Sequence, residues 1–330
     1  MPTEEHNHMQ KRYHELPPEA KCTRCRGRAT IRMPGHHANF CAQCFVVFFE
    51  RAVSRAMDLF GLPRNAPLMV AVSGGKDSLA LWDVLHNLGY VTRGLHLDVG
   101  IDGFSEASAA AVESFAVQRG LPVVTYSLKE VFGYALPQIR ARTRRKICGV
   151  CGFLKRQLLN RLTIREGFRA LALGHNLDDE AGRLLGNIVR HRSQYFEKQY
   201  PLLPSTHNRI PTKLKPLYRV DAREIRTYCR VKGIRPLEES CPLSRGATSH
   251  MFKEALDLLE TKMPGTKRDF LFSYVDRRNP PAAHSDFAVC RGCGEPAYED
   301  LCSVCNLRNR LSEESTAGRE AVSKPQETEV

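Results

Sequence analysis

Long hydrophobic runs are missing from this chain of 330 residues. No stretch of about 18 consecutive apolar residues occurs, so we expect no membrane-spanning helix and no membrane partner. The first twenty residues are polar and charged, without the apolar core of a secretory signal peptide, which predicts a cytoplasmic protein. Twelve cysteines in a chain that is not secreted favour metal binding over disulfide bonds.

Negative charge is scarce in one part of the chain. The formal net charge is +13, and residues 140–230 hold 21 Lys or Arg against seven Asp or Glu, an excess of 14. This segment therefore carries the whole imbalance. A solvated basic face is the simplest interpretation, whereas the concentration of charge beside the motifs described below favours a polyphosphate partner such as RNA.

The two commonest phosphate-binding motifs are absent, yet a glycine turn follows an apolar segment. Leu68–Val72 predicts a buried parallel strand, the sequence SGGKDS occupies positions 73–78, and a helical pattern follows. The turn is too short for a Walker A loop and does not match GxGxxG. Glycines let a backbone approach phosphate, and a helix start aims N–H groups at an anion. An ordinary glycine turn is the alternative.

Strands and helices alternate after this turn. We expect further strands at residues 91–97, 121–126 and 168–174, with helices between them, which predicts an α/β fold with a doubly wound parallel sheet. The last strand leads into GHNLDDE at positions 174–180, where Asp178 and Asp179 could hold Mg²⁺ on a leaving pyrophosphate. Simple capping of a helix start is the alternative, and both roles are compatible.

Paired cysteines near each end predict two structural zinc sites. The first set has 15 residues between its two CxxC pairs, the second has eight, and four thiolates close a tetrahedral site. His36 and His37 lie inside the first loop and could compete as ligands. The predicted ligands are Cys22, Cys25, Cys41 and Cys44 for zinc 1, and Cys290, Cys293, Cys302 and Cys305 for zinc 2.

Four cysteines remain. Cys229 lies inside a predicted helix and is interpreted as packing, which leaves Cys148, Cys151 and Cys241. Three thiolates could ligate a 4Fe–4S cluster and leave one iron open for an exogenous sulfide. The alternatives are redox thiols, one of them carrying a persulfide, and a third structural zinc site. The spacing alone does not separate these three hypotheses.

The predicted organisation has five parts. They are a flexible tail at 1–20, a zinc knuckle with its linking helix at 21–60, a catalytic domain at 61–265, a second knuckle at 266–309 and a disordered tail at 310–330. Residues 191–220 are polar, proline-rich and basic, which predicts a loop or an extended segment.

Seven motifs occur in series: the first knuckle, AVSGGKDSLALWDVL, GLHLDVGI, CGVCG, GHNLDDEA, ESCP and the second knuckle. This series, over residues 20–307, resembles the TtuA-type tRNA 2-thiouridine synthetases, which are PP-loop ATP pyrophosphatases related to the wobble-uridine and 2-thiocytidine enzymes. The resemblance implies that ATP adenylates the C2 oxygen of a tRNA uridine and that sulfur then displaces AMP. It favours 5-methyluridine at T-loop position 54; an anticodon-loop uridine or cytidine, or persulfide chemistry without a cluster, are the alternatives.

The resemblance also implies site residues and partners. Lys155 and Asp179 would be catalytic, with Asp178 beside them, and Cys148, Cys151 and Cys241 would hold the 4Fe–4S cluster. A ubiquitin-like sulfur carrier with a C-terminal thiocarboxylate is the implied donor, and a homodimer is expected. ATP would contact Ala71, Val72, Ser73, Gly74, Gly75, Lys76, Asp77, Ser78, Leu97 and Gly174. The rival classes are an amide-forming ATP pyrophosphatase and a non-catalytic tRNA-binding zinc protein.

Overall fold

The computed structural model describes residues 15–196, 199–244, 248–278 and 287–320. Their strands are β1 (Ile31–Met33), β2 (Ala38–Phe40), β3 (Leu68–Val72), β4 (Thr92–Asp98), β5 (Val123–Ser127), β6 (Ala170–Ala172), β7 (Leu202–Leu203), β8 (Thr212–Leu214), β9 (Ala288–Val289) and β10 (Pro296–Ala297). Their α-helices are α1 (Ala42–Phe60), α2 (Lys76–Asn87), α3 (Phe104–Arg119), α4 (Leu128–Phe132), α5 (Leu136–Ala141), α6 (Ile147–Arg165), α7 (Leu177–Val189), α8 (Ala222–Lys232), α9 (Thr248–Lys262), α10 (Thr266–Val275) and α11 (Ser303–Glu320).

The central sheet has the strand order β5-β4-β3-β6-β8-β7. Every neighbouring pair is parallel except β7 with β8. The chain winds outward from β3 in one direction through β4 to β5, and from β6 in the other direction to β8. The strand order therefore reverses between β3 and β6, which is where open α/β sheets bind ligands. The predicted doubly wound parallel sheet is confirmed.

Apolar side chains cover both faces of this sheet. One cluster joins α1, α2, α3 and α8 to the sheet, and it contains the fully buried Trp82. The other joins α4, α5, α6 and α11 to the opposite face. A third, smaller cluster packs α7 against α1, α9 and α10. Helices therefore enclose the sheet, and its strand ends are left for function.

Two small hairpins carry the cysteine knuckles. β1 pairs with β2 at the N-terminal knuckle, and β9 pairs with β10 at the C-terminal knuckle. Helix α1 starts directly after Cys41, whose Sγ accepts a hydrogen bond from Cys44 N at 3.5 Å. Within the described part of the chain, no helix combines the length and apolarity needed to cross a membrane.

The segment 191–220, which the sequence predicts to be a loop or an extended segment, includes two short strands. It contributes β7 and β8 to the central sheet, and Leu214 at the end of β8 is buried. Strands of two and three residues are too short to produce a readable alternation of apolar and polar residues, so this sequence resembles a loop.

The predicted disorder from residue 310 is wrong for residues 310–320, because α11 continues to Glu320. Leu307 and Leu311, four residues apart, lie on one face of this helix and are buried in the cluster that contains α6. The other residues of this helix are mostly polar, so the composition of the segment does not reveal the two buried leucines. Residues 1–14 and 321–330, the other parts of the predicted tails, lie outside the described residues.

Candidate active site

The turn after β3 has a shape that requires glycine at position 74. Gly74 has a φ of +73°, and a Cβ there would lie 2.8 Å from the Ser108 carbonyl oxygen. The Ser108 hydroxyl donates to the Ser73 carbonyl oxygen at 2.9 Å. The turn is therefore packed tightly against α3, which fixes the backbone that the sequence assigns to phosphate binding.

Ser78 connects this turn to the start of α2. The Ser73 backbone N–H donates to Ser78 Oγ at 3.1 Å, and Ser78 Oγ donates to the Gly75 carbonyl oxygen at 3.0 Å. Lys76 Nζ contacts both carboxylate oxygens of Asp77, at 2.8 and 2.7 Å. The six residues of SGGKDS thus form one hydrogen-bonded unit with a cation and an anion at a helix N-terminus, an arrangement suited to a metal-bound polyphosphate.

The second motif lies directly against the first. Asn176 Nδ2 donates to Asp77 Oδ1 at 2.8 Å, which joins residues 99 positions apart. A Cβ on Gly174 would lie 3.2 Å from the Asp77 carbonyl carbon and from the Ser78 nitrogen, so a larger residue would push the two turns apart. The motifs that follow β3 and β6 therefore enclose one crevice at the point where the strand order reverses.

The two motif aspartates have different surroundings. Asp178 is buried, and its two oxygens accept from Lys267 Nζ and from the Ala222 backbone N–H, the latter at 2.7 Å. Asp179 belongs to the capping box of α7 with Asn176, and it forms an ion pair with Lys253. The Asp179 side chain is also more exposed, at 27% against 10%. The sequence grouped the two carboxylates, whereas in the structure Asp178 joins α7, α8 and α10.

Cys148 and Cys151 lie in the first turns of α6, and Cys241 lies in the segment that faces them. Cys148 Sγ contacts the Leu243 carbonyl oxygen at 3.2 Å, which brings the two segments together. Burial raises the pKa of the Cys151 thiol; the positive charge of Lys155 opposes this rise, and the charges of Cys241 and Cys148 add to it. The three sulfurs and Lys155 therefore share one electrostatic environment.

The spacing of these three sulfurs differs from that at the knuckles. Within the described ranges, groups of three or more metal-ligating atoms within 4.8 Å of one another occur at the two four-cysteine sites, and Cys148, Cys151 and Cys241 are outside those groups. A single tetrahedral zinc ion draws its sulfurs to about 3.8 Å. The wider arrangement fits a multi-iron cluster better than it fits a third zinc ion.

A backbone hydrogen bond links the glycine turn to the cysteine trio. The Leu237 N–H donates to the Gly74 carbonyl oxygen at 2.8 Å, and Cys241 follows four residues later. Four extended residues span at most about 14 Å, so Cys241 cannot lie farther than that from Leu237. Cys241 therefore belongs to a segment that contacts the phosphate turn.

The remaining predicted nucleotide contacts line the carboxyl ends of β3 and β4. Ala71 and Val72 end β3, and Leu97 lies near the end of β4 with a buried side chain. Beside them His96 Nδ1 contacts the Val72 carbonyl oxygen at 3.0 Å. Burial lowers the pKa of His96, a change that this hydrogen bond partly opposes. His96 is thus a neutral buried imidazole directly beneath the turn.

Both knuckles have the geometry of a zinc site. Cys25 Sγ and Cys41 Sγ lie 3.7 Å apart, and Cys293 Sγ and Cys302 Sγ lie 3.6 Å apart. Tetrahedral zinc with bonds near 2.3 Å sets sulfur separations of about 3.8 Å, so each set of four thiolates fits one ion. His36 is not a competing ligand, because its ring contacts Glu224 Oε1 at 2.5 Å and also contacts Arg268.

Sequence reasoning missed two residues of this region. Asn176 stands inside a recognised motif, and its position before an acidic helix start could have identified it as the N-cap. Lys253 lies in α9, about 70 residues after that motif, in a helix with no motif of its own. No sequence signal pointed from Lys253 to Asp179.

The comparisons with known proteins agree with this geometry. Residues 49–243 match the PP-loop domain family, and residues 21–46 match the N-terminal LIM domain of the 2-thiouridine synthetase TtuA. A tRNA-5-methyluridine(54) 2-sulfurtransferase from Thermus thermophilus is 38% identical over 293 residues, which are 87% of this chain and 90% of the relative. The chain belongs to the TtuA-type tRNA sulfurtransferase family.

Two further relatives of this family extend the likeness. The tRNA-5-methyluridine(54) 2-sulfurtransferase of Pyrococcus horikoshii is 37% identical, with 87% of this chain and 93% of the relative covered. The U34-tRNA thiolase NcsA from Methanococcus maripaludis, solved with its [4Fe-4S] cluster, superposes with a TM-score of 0.76 at 25% identity and covers 88% of this chain and 96% of its own. The prediction of a transferase from the motif series is confirmed.

Proposed function

We propose that this protein is an ATP-dependent tRNA uridine 2-sulfurtransferase that converts 5-methyluridine 54 in the T-loop to 5-methyl-2-thiouridine. The observation that carries the proposal is that the phosphate turn contacts the segment that leads to Cys241. The glycine turn, through the Leu237–Gly74 hydrogen bond of 2.8 Å, lies next to the segment that bears Cys241. A uridine bound between them would meet the activating nucleotide and the sulfur source in one crevice.

The first half-reaction uses the nucleotide crevice. The backbone of residues 73–78 binds the phosphates, while Ala71, Val72, Leu97 and Gly174 surround the nucleoside. The uridine C2 oxygen attacks the α-phosphate, the bond to the pyrophosphate group breaks, and the base becomes an O-adenylate. Lys76 and the N-terminus of α2 stabilise the negative charge that moves onto pyrophosphate.

Asp179 and Lys155 have distinct roles in this scheme. Asp179 would hold the Mg²⁺ that neutralises phosphate charge, because its side chain is the more exposed of the two motif aspartates. Asp178 serves chiefly to position α7, since its oxygens already accept from Lys267 and Ala222. Lys155 lies one helical turn after Cys151, on the same face of α6, and it neutralises phosphate charge where sulfur enters.

The second half-reaction replaces oxygen with sulfur. Cys148, Cys151 and Cys241 would hold a 4Fe–4S cluster, which, with three protein ligands, supplies an open iron able to bind sulfide. The [4Fe-4S] cluster named in the NcsA structure supports this assignment, as does the contact that brings the Cys148 and Cys241 segments together. Sulfur bonds to C2, and the original C2 oxygen leaves on AMP, so the exchange needs no oxidant or reductant.

The choice of position 54 follows from relatedness. Three tRNA-5-methyluridine(54) enzymes are 35–38% identical to this chain, against 25% for the U34-tRNA thiolase. We propose in addition that a ubiquitin-like carrier delivers sulfur as a thiocarboxylate, that the protein acts as a homodimer in the cytoplasm, and that each knuckle holds one Zn²⁺. The thiolates of both knuckles have separations suited to that ion.

The test compares Cys148→Ala with Cys229→Ala after anaerobic purification. Cys229 is buried, and its Sγ contacts only the Lys76 carbonyl oxygen among the hydrogen bonds seen, so it is a cysteine control outside the trio. We expect Cys148→Ala to lose iron, acid-labile sulfide and brown colour together with 2-thio-5-methyluridine, measured by nucleoside mass spectrometry. Cys229→Ala should keep all four.

Three outcomes would contradict parts of the proposal. A colourless wild-type protein that still thiolates tRNA would favour the persulfide route. A thiolated anticodon uridine with unmodified T-loops would reassign the substrate position. Retention of iron and activity by Cys148→Ala would remove the trio from the mechanism.

A further inference from the structure

We propose that a cleft between the N-terminal knuckle and α8 binds the phosphodiester backbone of the tRNA substrate. This arginine cleft has a volume of about 520 Å³. The proposal rests on the proposed function because it identifies the bound RNA as tRNA. It also gives the N-terminal knuckle a role in substrate binding. The cleft is lined by Arg32, Arg223, Arg226 and Arg230 together with Leu16, Thr30, Ile31 and Thr227.

Three of these arginines share one face of a helix. Arg223, Arg226 and Arg230 are spaced three and four residues apart on α8, and Arg226 and Arg230 are exposed. The seven-residue stripe extends about 10 Å along the helix axis, which is longer than one phosphate group. A stripe of this length suits successive phosphates of one strand better than a single free anion.

The knuckle supplies the opposite wall. Arg32 lies in β1, and its carbonyl oxygen accepts a hydrogen bond from Arg223 Nη2 at 3.3 Å. Arg32 Nη1 donates to the Glu15 carbonyl oxygen at 2.8 Å, so a backbone acceptor anchors the Arg32 side chain. The hairpin that surrounds zinc 1 therefore fixes the width of the cleft.

The lining of the cleft is strongly basic. Among the described residues that line it there is no carboxylate. The nearest acids on α8 are Asp221 and Glu224, and burial raises the pKa of each to about 7. Burial lowers the pKa of Arg223; the charges of Asp221 and Glu224 oppose this change, and those of Arg226 and Arg32 add to it. Collecting like charges is unfavourable in the free protein, and an RNA backbone would relieve that repulsion.

The location suits a substrate of the adjacent crevice. Arg223 and Arg226 also line a second cavity of about 430 Å³, whose other walls include Lys76, Asp77 and Asp179. An RNA strand held on the stripe would therefore border the crevice where the two motifs meet. Arginine forks hydrogen-bond phosphate oxygens in pairs, and a stripe of about 10 Å presents several such forks to one strand.

The experiment compares Arg226→Ala/Arg230→Ala with a matched control, Arg51→Ala/Arg55→Ala. Both variants remove two exposed arginines four residues apart on a long helix, with the same change in net charge. Binding of unmodified tRNA by full-length zinc-loaded protein is measured by fluorescence anisotropy over a salt series. We expect the cleft variant to bind at least tenfold more weakly at low salt. Its slope of log K against log salt should fall by up to about 1.8, because two phosphate contacts are lost.

The control variant should bind within twofold of wild type with an unchanged slope. Equal losses in the two variants would mean that general charge attracts the RNA, which would overturn the proposal. A second outcome would also overturn the proposal: the cleft variant keeps its tRNA affinity and its thiolation with free sulfide, but loses thiolation with the carrier protein. The cleft would then bind the carrier protein and not RNA. The binding assay needs no catalysis. A wild-type protein that failed to thiolate position 54, yet showed the expected binding difference, would refute the proposed function alone.

Discussion

The side-chain amide of Asn176 donates to Asp77 Oδ1 at 2.8 Å, while its own Oδ1 accepts from the Asp179 backbone N–H at 3.1 Å. One side chain therefore caps α7 and holds the second motif against the phosphate turn. Because Asn176 contacts both Asp77 and Asp179, this side chain sets the distance between the two motifs.

Changing Asn176 to Asp should separate these two roles. An aspartate preserves the cap acceptor but places a carboxylate against Asp77, so we expect near-normal stability and about a hundredfold loss in kcat/KM for ATP, measured by pyrophosphate release. Asn187→Asp is the control, because Asn187 lies at the other end of α7 and donates to Gln199 at 2.7 Å. Equal activity in both variants would show that the Asn176–Asp77 contact does not matter for catalysis.

The ion pair between Lys253 and Asp179 predicts a change in metal requirement. Both side chains are partly exposed, at 32% and 27%, so the pair is weak enough for a divalent cation to displace. Lys253→Met removes this competitor, and we expect half-maximal pyrophosphate release at a several-fold lower Mg²⁺ concentration. Lys262→Met at the end of α9 should leave the metal requirement unchanged. An unaltered requirement in Lys253→Met would argue against Mg²⁺ at Asp179.

Gly94 in β4 is predicted to be intolerant of a methyl group. A Cβ there would lie 2.5 Å from Cη2 of Trp82, whose ring is fully buried. Gly94→Ala should therefore lower the free energy of unfolding by about 1–3 kcal/mol. Trp82 is the only tryptophan, so its fluorescence during urea unfolding reports this part of the core directly. Gly149→Ala, where a Cβ meets nothing within 4 Å, should be neutral or slightly stabilising.

Glu224 predicts a loss of stability as pH rises. Burial raises its pKa from 4.5 to about 7, so the folded protein binds more protons than the unfolded chain between those values. The free energy of unfolding from this group therefore falls as pH rises through that window. Glu224→Gln stays neutral, and it should exceed wild type in stability by about 3 kcal/mol above pH 7, with little difference below pH 4.5.

Urea unfolding measured from pH 4 to pH 8 checks this prediction. Glu254→Gln serves as the control, because Glu254 is exposed on α9 and its substitution should follow the wild-type curve. Parallel curves for wild type and Glu224→Gln would show that Glu224 is ionised throughout, with its charge balanced by Arg268 at 3.8 Å.

Sequence patterns were enough to predict the features whose geometry is set by residues close together in the chain. The turn at 73–78 and the CxxC loops of the two knuckles can be recognised from short spacings in the sequence, because a tight turn or a CxxC loop is closed by its own backbone. The alternation of apolar strands and helices likewise predicted the parallel sheet, since buried parallel strands need uninterrupted apolar runs.

Which distant side chains contact one another depends on how the helices pack, and no local sequence pattern predicts it. The packing of α10 assigned Asp178 to Lys267, and the packing of α9 brought Lys253 to Asp179. The fold also buries some of the excess Lys and Arg residues and exposes others. Lys215 is buried in an ion pair with Glu180 at 2.7 Å, whereas Arg226 and Arg230 are exposed on α8. A count of charges cannot make that distinction, because burial depends on the packing of whole elements and composition records only how many charges there are.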